Sequence, residues 1–136
     1  MDKWTKKAQE AAQKAKEHAD RTERYMHKDD MDGAEDSLAS AQEHAGHAVQ
    51  HALAAHALAN GKDAEKHFEK AKNAYGEIWE KKGQMGDHDD GPEAHENVHK
   101  HIQRLAAKHG YTPAAQAMED ADGHALRATR ARYEDI

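Results

Sequence analysis

Histidine is the residue type that could give this sequence a chemistry. Three of the thirteen His residues, His44, His47 and His51, follow one another at steps of three and four residues. In a helix, such steps place side chains on one face. Imidazole nitrogens from adjacent turns can then bind a divalent ion at about 2.0–2.1 Å. These three residues, the His44 stripe, are the first part of a candidate metal site.

A second histidine pair lies nearer to the C-terminus. His95 and His99 are four residues apart, and Glu96 completes one Glu-x-x-His motif with His99. Ferritin-like di-iron proteins combine two such motifs with two further Glu, and the other long helical segments carry no second copy. We therefore expect no di-iron oxidase. The pair and Glu96 join the His44 stripe as candidate ligands for Zn, Ni, Cu or Fe in a storage or buffering protein.

A pH response is the alternative chemistry for so many histidines. Imidazole has an unperturbed pKa of about 6.5, so its charge changes between neutral and mildly acidic pH. Four of the His residues lie on or beside apolar seams: His18, His56, His101 and His109. Protonation of seam histidines would loosen a helical bundle or an interface.

The composition excludes several classes of protein. The absence of Cys excludes disulfides, Fe–S clusters and thiol nucleophiles. No segment reaches the roughly 18 apolar residues of a membrane span, and the N-terminus has no apolar signal-peptide region. No phosphate loop, nucleophile elbow or HExxH motif is present. We therefore expect a protein without catalytic residues or a resident cofactor. We place it inside the cell, in the cytoplasm, or within an assembled particle.

Nucleic acid is not an expected partner. The net charge of −6 opposes sequence-independent binding, which needs Lys and Arg to displace counterions. The stretch Leu105–Met118 has the outline of a helix-turn-helix, with Gly110 at its turn. The residues that follow, MEDAD, are acidic where phosphates would lie. A helical hairpin is the simpler interpretation.

Long alanine-rich helices must position the histidines. Hydrophobic residues make up 37% of the chain, more than half of them are Ala, and the only two Pro lie late in the sequence. Ala, Glu, Lys and Gln are strong helix formers. The first helix is expected from Asp2, its N-cap, to about residue 28. A seam with steps of four and three runs along it: Trp4, Ala8, Ala11, Ala15, His18, Thr22 and Tyr25.

The second predicted helix carries the His44 stripe opposite its apolar seam. It runs from about Gly33 to Ala59 and ends at Asn60-Gly61, a C-cap pair. Its seam consists almost entirely of alanine, which lets another helix approach closely: Leu38, Ala41, Ala45, Ala48, Ala52, Ala55 and Ala59. Asp63 then caps a third helix that should extend to about Lys82 and carries the largest apolar side chains.

The sequence predicts an all-α fold. Residues 1–82 are expected to form an antiparallel bundle of three long Ala-rich helices, and residues 83–92 a hinge rich in Gly, Asp and Pro. Residues 93–136 form a smaller C-terminal helical segment, with one helix started by Pro92 and another started by Thr112 and Pro113. We expect a break at Gly123.

Few large apolar residues are available to build a core, and this motivates the functional prediction. A thin core is stabilised by self-association or by a partner. We therefore expect a non-enzymatic structural or interaction module in a homo-oligomer or a larger assembly, such as a virion. Its partners would be copies of itself or other protein subunits. The side chains expected to anchor the packing are Trp4, Tyr25, Leu38, Phe68, Tyr75, Ile78 and Trp79. The metal-binding and pH-responsive bundles remain the alternatives.

Overall fold

The computed structural model describes residues 1–85 and 91–134, and these residues form α-helices without any strand. The predicted all-α fold class is therefore confirmed. One 3-10 turn, Gly83–Met85, follows the fourth helix. The helices in the described residues are α1 (Lys3–His27), α2 (Met31–Ala59), α3 (Ala64–Lys70), α4 (Ala74–Lys82), α5 (Pro92–Lys108) and α6 (Pro113–Tyr133).

Side-chain caps begin four of these helices. The Asp2 carboxylate accepts a hydrogen bond from the Thr5 amide at 2.8 Å, and Asp63 accepts one from the Lys66 amide at 3.1 Å. Asp30 caps α2 in the same way, and Thr112 caps α6. Such caps satisfy amides that have no partner inside the helix. The predicted caps Asp2, Asp63 and Thr112 are thus confirmed.

Alanine seams hold the three long helices α1, α2 and α6 together. From Leu38 to Ala55, every residue of the predicted α2 seam is at most 5% exposed. The seam faces the buried alanines of α1 and those of α6, which together form one hydrophobic cluster. Because Ala has a single methyl group, the helix backbones can pack closely and exclude water over their whole length.

The prediction of one helix from Asp63 to Lys82 is wrong. The segment is divided into α3 and α4 by a turn at residues 71–73. The Ala71 amide donates to the His67 carbonyl and ends α3, and Asn73 begins α4. Asn favours such boundaries because its side chain competes for backbone hydrogen bonds. The turn lets the two short helices contact different parts of the molecule, and α6 takes the place of the third long helix.

The expected break at Gly123 is also wrong, because α6 continues through it to Tyr133. Three arginines along α6 bind carboxylates on other helices. Arg127 pairs with Asp20 and Glu23 of α1, Arg130 with Glu96 of α5, and Arg132 with Glu35 of α2. These ion pairs fasten the last helix to three others.

The predicted hinge lies partly outside the described residues, since residues 86–90 belong to the part that is not described. At its edges, Gly91 has a φ of 97°, in the left-handed region that favours Gly, and Pro92 starts α5. Buried residues from before and after the hinge occur together in both hydrophobic clusters. The division of the chain at residues 83–92 stays a prediction. Within the described part of the chain, no helix is long and apolar enough to cross a bilayer.

Candidate functional site

The carboxylate of Asp122 is the centre of a buried polar cluster between α4, α5 and α6. Asp122 is fully buried, and its Oδ1 accepts a hydrogen bond from His95 Nε2 at 2.8 Å. Its Oδ2 accepts one from His99 Nδ1 at 2.7 Å, and the Tyr75 hydroxyl donates to Oδ1. Burial alone would raise the pKa of Asp122. The hydrogen bonds from both histidines outweigh burial and lower the pKa to about 2.

Both ring nitrogens of His95 have hydrogen-bond partners on α6. Its Nε2 donates to Asp122, and its Nδ1 lies 3.0 Å from the Thr129 hydroxyl. That hydroxyl also lies 2.9 Å from the Ala125 carbonyl. The fully buried imidazole and carboxylate therefore form a pair whose hydrogen bonds are satisfied.

Two aromatic residues of α4 close the cluster. The Trp79 ring packs against the ring of His95 in a tilted arrangement, with the ring centroids 4.7 Å apart. Burial raises the pKa of Tyr75 well above 10, and the neighbouring Asp122 charge raises it further, so the hydroxyl stays protonated and donates. Gly46 of α2 lies against the Tyr75 ring, where a Cβ would make an ordinary contact at 3.4 Å.

A groove of about 900 Å³ runs past this cluster. Tyr75, Trp79 and Thr129 belong to both the cluster and the groove wall, and Leu38 and Tyr133 complete its apolar sides. Asp122 and His95 are inaccessible to solvent and already hydrogen-bonded to each other. The cluster therefore mainly fixes how α4, α5 and α6 pack against one another, since a fully satisfied buried network specifies one packing arrangement.

The expectation that the His44 stripe lies opposite the apolar seam is wrong, because its rings contact His18 of α1 and Phe68 of α3, on the side of α2 that faces these two helices. The ring of His44 stacks on His18 of α1, with centroids 5.2 Å apart, and meets the ring of His47 at 5.6 Å. His51 donates from Nδ1 to the His47 carbonyl and packs against Trp4 and Phe68. The stripe is thus engaged by neighbouring aromatic rings.

The structure does not join the predicted metal ligands into one site. His95 and His99 turn toward Asp122 of α6, whereas Glu96 binds Arg130 at 2.9 Å on the outside of α5. Among the described residues, no group of three His, Asp or Glu side chains has the arrangement of a metal site. Binding of Zn, Ni, Cu or Fe stays a prediction, which calorimetric titration of the untagged protein would test.

A second imidazole stack joins the end of α2 to the turn between α5 and α6. The rings of His56 and His109 lie 3.8 Å apart and nearly parallel. His56 is 7% exposed, and its Nε2 is 3.0 Å from the Thr112 hydroxyl. Burial, followed by the proximity of His109, lowers the pKa of His56 to about 4, and burial also lowers the pKa of His109.

The predicted packing residues occupy both hydrophobic clusters and their margins. Trp4 and Leu38 are buried, one in each cluster. Phe68, Tyr75, Ile78 and Trp79 are partly buried against the cluster that contains Trp4. Tyr25 lies outside both clusters, against Gly33 at the turn between α1 and α2. Whether any of them anchors another subunit stays a prediction.

Two members of the polar cluster, Asp122 and Thr129, were missed by sequence reasoning. The signal was present: Met118, Asp122, Ala125 and Thr129 follow one another at steps of four and three, which places an acidic residue in an apolar seam. The expected break at Gly123 hid this pattern, because it divided the seam in two. No protein-family model, curated protein or solved structure matches this chain.

Proposed function

We propose that this chain is a non-enzymatic helical interaction module that loosens around α2 when the pH falls. The observation that carries the proposal is the pair of imidazole stacks at two points of α2, His18–His44 and His56–His109. Each stack joins α2 to another part of the fold. Each also requires imidazoles that are not both charged.

Burial is the first physical reason for the acid response. It lowers the pKa of His18, His44, His56 and His109, because a buried ring loses the hydration of its charged form. A histidine whose pKa is lower in the folded state binds more protons in the unfolded state at mildly acidic pH. Its stabilising contribution is complete above about pH 6.5 and is lost as the pH falls toward the folded-state value.

Repulsion within each stack is the second reason. Two charged rings 3.8 Å apart, as in the His56–His109 stack, would repel each other by about 4 kcal/mol at an effective dielectric of about 20. The charged groups around this stack are themselves basic, with Lys108 lowering the pKa of His109 and Lys62, His67 and Lys70 lining the adjacent cavity. No acidic side chain lines that cavity among the described residues.

The surroundings of the first stack are more balanced. Arg21 lowers the pKa of His18, while Glu17 and Glu43 raise it less than burial lowers it. Burial lowers the pKa of His44 most, and His18, His47 and Lys14 lower it further, whereas Glu43 raises it. Protonation is therefore unfavourable at both stacks, and we expect the His56–His109 stack to respond most strongly.

The polar cluster would persist at the pH values at which the two imidazole stacks are disrupted. Asp122 keeps its charge down to a pH of about 2, so the Asp122–His95 pair survives the range in which the stacks are protonated. Acid would then release α2 from its neighbours while α4, α5 and α6 stay joined. The Ala seam of α2 would become available to a second copy or to another subunit, which connects the acid response to the interaction role.

The free energy of urea-induced unfolding between pH 7.5 and 4.5 tests this proposal. We expect it to fall steadily below pH 6.5 in the native chain. The His56→Gln variant keeps a polar partner for Thr112 and removes the titrating ring. Its loss of stability between pH 7.5 and 5.0 should be smaller by about 2 kcal/mol, the contribution of a pKa that changes from about 6.5 to about 4.

His27→Gln is the matched control, because His27 is exposed at the end of α1. Its pH profile should follow that of the native chain. A native profile that is flat from pH 7.5 to 4.5 would contradict the proposal. So would a His56→Gln profile indistinguishable from that of His27→Gln.

A further inference from the structure

A cavity of about 370 Å³ lies where the end of α2, the helix α3 and the end of α5 meet. Its apolar wall consists of Leu53 and the methyl groups of Ala57, Ala71 and Ala74, and Asn60 contributes an amide. The His56–His109 stack forms part of the same wall. The cavity is thus partly apolar and partly aromatic, which is typical of sites for small organic ligands.

The charged side chains that line the cavity are two lysines, Lys62 and Lys70, and no Asp or Glu lines it in the described part of the chain. Neither lysine forms an ion pair with a described carboxylate, whereas Lys3 and Lys16 both do. In a chain with a net charge of −6, these lysines place positive charge at the cavity that no described carboxylate pairs with.

His56 adds a polar atom that the fold leaves unsatisfied. Its Nδ1 is buried and has no hydrogen-bond partner among the described residues. The Thr112 hydroxyl oxygen accepts from the Ala115 amide at 3.2 Å, so its own proton is free to be donated to His56 Nε2. A buried nitrogen without a partner is costly for the fold, and it lies on a residue of the cavity wall.

We propose that this cavity binds a small planar anion, an aromatic carboxylate, with Lys62 and Lys70 attracting its charge and the His56–His109 stack and Leu53 packing against its ring. The residues that line the cavity explain why the ligand needs both an aromatic ring and a negative charge. A simple inorganic anion would use the lysines and leave the apolar wall wet, and an uncharged aromatic molecule would leave the lysines without a partner. The site does not depend on the acid response, because lysine is charged at neutral pH.

Titration of ¹⁵N-labelled full-length protein with 2-naphthoate at pH 7.5, followed by amide chemical shifts, tests the proposal. We expect saturable shifts confined to the residues that line the cavity. The uncharged 2-naphthamide and the ring-free acetate should each bind about tenfold more weakly or not at all. Bound naphthoate should also raise the pKa of His109, since a nearby negative charge favours the protonated ring.

Two double variants separate the cavity lysines from charge in general. Lys62→Gln with Lys70→Gln should weaken naphthoate binding about tenfold. Lys66→Gln with Lys72→Gln removes the same charge from exposed positions of the same region that do not line the cavity, and should leave binding unchanged. All four lysines are exposed, so both variants should fold.

Three results would overturn the assignment of this cavity. The first is naphthoate binding without saturation, the second is equal binding of 2-naphthamide, and the third is equal weakening in the two double variants. None of them bears on the pH dependence of unfolding, which is measured without any ligand.

Discussion

At the scale of single residues, Asp122 is the side chain that joins α4, α5 and α6. Its carboxylate accepts hydrogen bonds from His95, His99 and Tyr75. A buried carboxylate that loses a donor keeps the cost of its desolvation, so each of these contacts matters for stability. We therefore expect this buried carboxylate to contribute more to the stability of the fold than an exposed carboxylate does.

Replacement of Asp122 by Asn should lower the free energy of unfolding by about 3–5 kcal/mol, because it removes a buried carboxylate that accepts three hydrogen bonds and places an amide donor against other donors. Asp120→Asn is the control, since Asp120 is exposed on the same helix and its carboxylate accepts a hydrogen bond from the exposed side chain of Gln116. Its effect should stay below about 0.5 kcal/mol. Urea unfolding at pH 7.5 measures both. Equal effects of the two substitutions would show that the cluster does not stabilise the packing of α4, α5 and α6.

The histidine contacts show which features of the structure can be predicted from residue type and spacing alone. Their spacing predicts correctly that His44 lies beside His47 and that His95 and His99 share a face. It cannot indicate that His44 would meet His18 of another helix, or that His56 would meet His109, because both contacts depend on how distant segments pack. The position of Asp122 in an apolar seam is visible in the sequence once α6 is read as continuous, but its partners lie 23 to 47 positions away and only the fold identifies them.

At the scale of elements, local signals predicted helix starts well and helix interiors poorly. Asp2, Asp63 and Thr112 cap helices as expected because capping depends on a few neighbouring residues. The turn after α3 and the continuity of α6 depend on tertiary contacts. The first lets Phe68 reach Trp4 while Tyr75 reaches Asp122. The second is supported by arginine pairs to three other helices.

Gly123 provides a direct test of the continuity of α6. A Cβ at this position would lie 3.5 Å from His99 Cε1, an ordinary contact, and Ala is favoured over Gly inside a helix. Gly123→Ala should therefore raise the free energy of unfolding by about 0.5–1 kcal/mol. Thermal and urea unfolding at pH 7.5 measure the change.

The opposite result is expected at Gly110, where the backbone has a φ of 73°. Gly110→Ala should cost about 1 kcal/mol, because a Cβ is unfavourable in the left-handed region. If Gly123→Ala instead destabilises the protein as much as Gly110→Ala does, a break in α6 at that position would be the better description.

At the scale of the whole molecule, α6 supplies what the first 82 residues lack. The alanines of α1 and α2 that face it are fully buried, and they would be exposed to water without it. The composition predicts a core poor in large side chains. In the structure, α6 is a third alanine-rich helix that covers the alanine seams of α1 and α2. Sequence reasoning could not choose between α6 and a partner as that cover, because alanine seams carry little information about which helix they meet.

A fragment of residues 1–82 tests this dependence. We expect it to retain helical circular dichroism at low temperature but to unfold without a cooperative transition, because α6 no longer covers the seams of α1 and α2. The full chain measured under the same conditions is the control. A fragment that unfolds cooperatively with a stability near that of the full chain would instead support an independent bundle of residues 1–82.

Amide hydrogen exchange at pH 7.5 and 5.0, corrected for the intrinsic exchange rates, tests whether acid releases α2 while the Asp122 cluster stays intact. The predicted result is a loss of protection of about thirtyfold in α2, the equivalent of about 2 kcal/mol, with much smaller losses in α5 and α6 near Asp122. Unchanged protection in α2, or an equal loss in every helix, would contradict the claim.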